Sequence, residues 1–156
     1  MIRIKKILYP TDFSSYSNQA YFHAIALAEK HNASLTVLFV YNPDSTTTPG
    51  SQGDEVADRR YWQGQLEQIR PVDVHIPVTH ILLEGDPAGE IVRYGRDAGI
   101  DVIVMGTHGR TGVERLLMGS VAERVLRDAP CSVLVVKLPR GQPVIAPGEV
   151  AVAVTK

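Results

Sequence analysis

Residues 102–126 read VIVMGTHGRTGVERLLMGSVAERVL, an apolar run, a glycine-rich stretch and a helical pattern in succession. Val102-Ile103-Val104-Met105 is short and wholly apolar, as a buried strand is. The next fifteen residues carry the spacing Gly-x2-Gly-x9-Gly-Ser on Gly106, Gly109, Gly119 and Ser120, with Gly112 between. Four glycines within fourteen residues make either a helix or a strand costly there. Val121, Ala122, Val125 and Leu126 then recur at helical spacing until Pro130 stops them.

A strand, a glycine-rich loop and a helix N-terminus suit an anion. Glycine lets the main chain approach a phosphate closely and reaches the turns that aim N–H groups inward. The first helical turn adds unpaired N–H groups and the positive end of the helix dipole. Two common phosphate loops do not match. A P-loop ends in Gly-Lys-Ser/Thr, whereas Met118 precedes Gly119 and the segment holds no lysine; Gly106, Gly109 and Gly112 are three apart, unlike the dinucleotide fingerprint. Positive charge must come from arginine, and Arg110 lies inside the loop, with Arg115, Arg124 and Arg127 nearby.

Several of these residues have plainer readings. Ser120 and Glu123 form Ser-x-x-Glu, a capping-box pattern. A hydroxyl that caps by accepting an N–H can still donate to a phosphate oxygen, so both roles stand together. Gly106 could simply end a strand and Gly112 simply make a turn. His108 is expected to be solvated, and His23, His31, His75 and His80 form no recognised metal motif. Cys131 lacks the neighbours of a nucleophile.

Outward from this segment the chain alternates strand and helix. Ile2, Ile4, Ile7 and Leu8 predict a first strand ending at Tyr9-Pro10, and Ser14 an N-cap for a helix to about Lys30. Leu35 to Val40 predicts a strand covered on both faces, and Asn42 to Gly53, rich in Pro, Ser, Thr and Gly, a mobile loop. A helix is predicted over Asp54 to Ile69, with Trp62 and Tyr61 packing it onto the sheet, and a strand over Val74 to Leu83. Asp86-Pro87 reads as N-cap and first turn of a helix to about Ala98, and Val133 to Val136 as the last strand. This alternation predicts an α/β fold, a doubly wound parallel sheet with helices on both faces. Ligands of such sheets bind beyond the carboxyl ends of the strands, where strand order reverses, and the Gly106 loop follows a strand at that edge.

The whole chain bounds the function classes. Its 156 residues suffice for one domain, and 44% hydrophobic with 21% charged residues is ordinary globular composition. A net charge of −1 predicts no general attraction to nucleic acid or anionic membrane. No apolar run approaches the roughly 20 residues that span a bilayer. One cysteine excludes an intramolecular disulfide, and a cytoplasmic protein is the default expectation.

The segment Gly106 to Ser120, continuing as VAERVLRDAPCSVLVV, resembles the nucleotide-loop signature of the universal stress protein family. The opening ILYPTDFS, with Asp12 after the first strand, resembles that family's start, and the likeness runs from about Ile2 to Leu138. It implies a domain over 1–138 with five parallel strands in the order 3-2-1-4-5, of the adenine nucleotide alpha hydrolase kind, followed by a tail over 139–156. Because the glycine pattern is retained, the resemblance implies the ATP-binding subgroup, with Mg²⁺ brought by the ATP. Adenosine is expected between Asp12, Val40 and Met105, beside Pro10 and Thr11. The phosphates are expected on Gly109, Arg110, Gly119, Ser120 and the Val121 amide, with Gly106 also among the nucleotide-binding residues. The expected role is a nucleotide-dependent regulator with an unidentified protein partner. A slow ATPase or autophosphorylating enzyme, and a dimeric interaction module with structural nucleotide, stay open. A homodimer through the last strand, Ser132 to Lys137, is expected, since Val133-Leu134-Val135-Val136 would make a hazardous open edge. Val150, Val152 and Val154 alternate in the tail and could add a strand.

Overall fold

The computed structural model describes residues 1–45, 53–72, 75–107 and 118–137. Residues 46–52 of the predicted mobile loop, residues 73–74, the glycine loop 108–117 and the tail from 138 lie outside the described residues. Strands and helices alternate as β1 (Lys6–Pro10), α1 (Ser15–His31), β2 (Ser34–Tyr41), α2 (Glu55–Glu67) and β3 (Val78–Glu84). They continue as α3 (Pro87–Asp97), β4 (Val102–Gly106), α4 (Ser120–Asp128) and β5 (Ser132–Val136). The sheet order is β3-β2-β1-β4-β5 and every pairing is parallel, the 3-2-1-4-5 doubly wound fold expected.

Alternate residues of the central strands feed two cores. Ile7, Tyr9, Val37, Phe39, Val102 and Val104 face the core under α1 and α2. Leu8, Leu38, Val40, Ile103 and Met105 face the core under α3 and α4. The period of two follows from successive side chains leaving opposite faces of a strand. Leu8 and Ile103 are fully enclosed, and truncating either to alanine should cost about 2–5 kcal/mol.

Side chains cap three of the helices. Ser14 Oγ accepts from Ser17 N–H, Asp54 Oδ1 from Val56 and Ala57, and Asp86 Oδ2 from Gly89, with Pro87 in the first turn of α3. Ser14 and Asp86 are the caps the sequence predicts. Asn32 ends α1 in the left-handed conformation, φ 52°.

Two strand boundaries and one side chain differ from expectation. β1 starts at Lys6, because its partner β2 begins with the Lys6–Ser34 pair, and Ile2 stands exposed. β3 starts at Val78, with residues 75–77 ahead of it not in strand and Val74 outside the described residues: the ring of Pro77 removes a ladder donor, although its carbonyl accepts from Leu35 N–H at 2.9 Å. Trp62 is buried on the sheet as expected, but Tyr61 is 37% exposed, its ring standing nearly perpendicular to that of Trp62. Among the described residues no helix is long and apolar enough to cross a membrane.

Candidate functional site at the carboxyl edge of the sheet

The β1–α1 turn begins the site. Thr11 N–H donates to Leu38 O (2.8 Å), continuing the β1–β2 pairing one residue past the strand. Thr11 Oγ1 accepts from Phe13 N–H (3.0 Å) and Ser17 Oγ (2.8 Å). Tyr9 Oη in turn donates to Ser17 O (2.8 Å), so a buried chain of hydroxyls braces the turn from below. Burial pushes the Tyr9 phenol above its usual range, against the lowering effect of its Ser17 and Thr11 hydrogen bonds; it stays neutral and acts as a brace. Asp12 Oδ1 accepts from Ser14 N–H at 2.9 Å. The turn-residue reading of Asp12 is therefore realised, and the same residue also borders a pocket.

That pocket, about 320 Å³, lies where β1 and β4 separate, the point at which strand order reverses. Pro10, Thr11 and Asp12 line it from the end of β1, Val40 from β2, and Met105 and Gly106 from β4. Gly119, Ser120 and Val121 line it from the start of α4. The structure thus brings together nine of the eleven expected site residues, while Gly109 and Arg110 lie outside the described residues. The volume falls within the range of small-molecule sites.

The α4 end of the pocket departs from the capping-box expectation. Gly119 is the N-cap, with φ −71° and ψ 160°, and Ser120 is already the first helical residue. A cap needs extended backbone ahead of the first turn, so Ser120 cannot serve, and among the described residues no side chain caps this helix. Gly119 N–H donates to Thr107 O (2.6 Å) and Thr107 N–H to Val136 O (3.1 Å), which ties the start of α4 to the ends of β4 and β5. The N–H groups of Ser120, Val121 and Ala122 begin the helix without an intrahelical acceptor, at its positive end and on the pocket wall.

Gly106 has a different reason for its identity. A Cβ there would lie 2.7 Å from the main-chain carbonyl of Tyr16 on α1. The plain reading, a strand end, gains a packing cause, and Gly106 borders the pocket as well.

Sequence reasoning passed over Ser17, Leu38, Phe39, Asn42 and Ser45, and over Pro87, Ile91 and Ala122, which also line the pocket. Asn42 and Ser45 directly follow β2 at the carboxyl edge, so the edge rule that found the Gly106 loop could have found them. Pro87 and Ile91 belong to the first turns of α3, brought in by helix packing that no local pattern encodes. At the rim Arg124 pairs with Asp86 at 2.9 Å and joins α4 to the N-cap of α3. Both are half exposed, so the pair contributes little to stability.

A doubly wound α/β domain with a pocket at its topological switch point, walled by a helix N-terminus, defines the class. Comparison with known proteins gives the family. The family model described as the universal stress protein family matches residues 3–137, and the chain belongs to that family. A universal stress protein of Methanocaldococcus jannaschii is 38% identical over 142 residues, covering 87% of this chain and 84% of the relative. A second from the same organism is 31% identical, covering 87% of this chain and 96% of the relative; its solved structure superposes with a TM-score of 0.70. The universal stress protein UspA of Lactobacillus plantarum is 28% identical with a TM-score of 0.72, covering 87% of this chain and 99% of that one. A universal stress protein solved in complex with cAMP shares the fold at 24% identity and a TM-score of 0.61.

Proposed function

We propose that this universal stress protein binds ATP in the carboxyl-edge pocket and acts as a nucleotide-dependent regulator. The observation that carries the reading is the α4 N-terminus, without a side-chain cap among the described residues, on the wall of a pocket of about 320 Å³ that the Asp12 carboxylate also lines. The sugar hydroxyls and base amino group would meet Asp12, and the base the apolar surface of Val40 and Met105. The phosphates would take the N–H groups of Ser120 and Val121 and the Ser120 hydroxyl, with Gly109 and Arg110 assigned to the same anion from the sequence motif. Mg²⁺ would be held by the phosphates themselves, because among the described residues no three His, Cys, Asp or Glu side chains converge. That a fold neighbour has been solved with cAMP is a property of that protein; the adenine nucleotide reading rests on this chain's own pocket and motif.

Among the described residues Asp12 is the one ionisable side chain of the lining, and its Oδ1 accepts the Ser14 N–H. Denaturing freshly purified protein and identifying the released nucleotide tests the reading. Released ATP fits a regulator that holds its ligand, released ADP points to turnover, and a nucleotide-free protein that also takes up no added ATP contradicts the proposal.

Pairing through β5 is part of the same proposal. Among the described residues β5 is an edge of the sheet, and Leu134 on it is 38% exposed. Two-fold pairing of β5 with its copy would satisfy the outward backbone groups in an isologous interface.

A further inference from the structure

The turn that carries Asp12 away from β1 is built on an unfavourable backbone. Phe13 has φ 63°, in the left-handed region, where a bulky side chain is a genuine outlier. Crowding of Cβ against the carbonyl there disfavours the conformation by roughly 5- to 30-fold. A glycine would make the turn without that cost. The ring therefore explains why residue 13 is phenylalanine. It stacks on Trp62 of α2 (centroids 5.4 Å apart, planes 24° apart) and tilts against Phe39 of β2 (4.9 Å), and Phe39 and Trp62 meet each other at 4.9 Å. All three are buried.

The strained residue sits between two consecutive side-chain-to-backbone hydrogen bonds. Phe13 N–H donates to Thr11 Oγ1 and Ser14 N–H to Asp12 Oδ1. The second bond orients the Asp12 carboxyl, and its donor lies immediately after Phe13, so that orientation depends on the backbone at Phe13. Thr11, Asp12 and Phe39 line the pocket, while Phe13 is not among its lining residues.

We propose that Phe13 is a positioning residue. The stack with Phe39 and Trp62 holds its left-handed backbone, and that backbone holds the Asp12 carboxyl at the pocket edge for the sugar or base of a bound nucleotide. The inference deepens the nucleotide reading above and rests on it. Strain stored beside a site is maintained only when the surroundings over-determine it, and here the rings of Phe39 and Trp62 do so.

Phe13→Gly and Phe13→Val in the full chain separate positioning from packing. If Phe13 only fills volume, valine, which keeps more of the side chain, binds ATP better than glycine. If it positions Asp12, the order inverts. Glycine adopts the turn freely and keeps ATP affinity within about threefold of wild type, whereas β-branched valine opposes it and weakens affinity about tenfold. In an Asp12→Ala background the valine change should then cost less than twofold, because its route to the ligand is gone. Ser14 amide exchange, measured without ligand, should be fast in the valine variant and protected in the glycine one. If the glycine variant does not fold, Trp62→Leu carries the test, with faster Ser14 exchange and affinity weakened roughly 2- to 12-fold. Valine binding as tightly as glycine, or Ser14 exchange in the valine variant matching wild type, overturns the proposal. Should wild type bind no ATP, the nucleotide reading falls, and the Ser14 exchange rates alone then uphold or overturn the clamp.

Discussion

Gly106 and Tyr16 approach so closely that a Cβ on the glycine would lie 2.7 Å from both the carbonyl carbon and the carbonyl oxygen of the tyrosine. Real Cβ contacts are essentially never that short, and the obstacle is main chain, which cannot rotate aside. α1 therefore lies as near to the end of β4 as it does because residue 106 has no side chain. The pocket shares that strand end, so the packing of α1 and the shape of the site are one constraint.

Gly106→Ala should accordingly lower stability by about 1–3 kcal/mol, the usual cost of overpacking, by moving α1 off β4. Urea unfolding followed by circular dichroism measures it. An alanine variant with the wild-type midpoint and slope would show that the approach is not fixed.

Tyr41 Oη donates to the buried carboxylate of Asp58 at 2.7 Å, joining β2 to α2. Tyr41→Phe removes a donor from a buried anion and should cost about 1–3 kcal/mol in the same measurement. A phenylalanine variant as stable as wild type would mean that the carboxylate does not depend on this donor.

The tyrosines also set a stability limit at high pH. The Asp58 hydrogen bond, aided by burial, raises the Tyr41 phenol from 10.0 to about 12, and burial alone raises Tyr21 from 10.0 to about 12. Between those values the folded chain keeps protons that the unfolded chain gives up, so rising pH favours unfolding. Stability contributed by the neutral phenols should be complete below about pH 10 and drain away toward about pH 12. Thermal melts across that window, with phenolate absorbance, should show the midpoint falling as pH climbs. A flat midpoint contradicts the assignment.

Pairing through β5 makes its own prediction. Leu134→Lys places a charge on the exposed side chain of the edge strand and should give a folded monomer by light scattering, while truncation after Leu138 should stay dimeric. A truncated chain that is monomeric would make the tail the connector, and a wild-type monomer ends the dimer proposal.

How much of this was legible beforehand depended on locality. Strand and helix alternation, the Ser14 and Asp86 caps and the buried runs at Leu35 and Val102 are written in local periodicity and cap chemistry, and so was the parallel sheet. The order of the strands came from the family resemblance. Asp12, Val40 and Met105 could be placed at one edge because each ends a strand, but Pro87 and Ile91 reach the pocket only through the docking of α3, which leaves no local mark. The capping-box pattern misled at Ser120, because Ser-x-x-Glu records composition and not where the helix begins; the chain enters the helix through Gly119. The left-handed Phe13 was also hidden, since propensity argues against it and only its stack with Phe39 and Trp62 holds it there.

The most direct measurement is a calorimetric titration of Mg-ATP into the wild-type chain and the Gly119→Val variant side by side. Gly119 has φ −71° and ψ 160°, a conformation valine adopts, so the variant should fold and melt within a few degrees of wild type. Its added side chain would stand at the mouth of α4, where the phosphates are proposed to bind. The expected result is one saturable ATP site per wild-type chain and no measurable binding by the folded variant. A variant that binds ATP as wild type does, or a wild-type chain with no saturable site, contradicts the account.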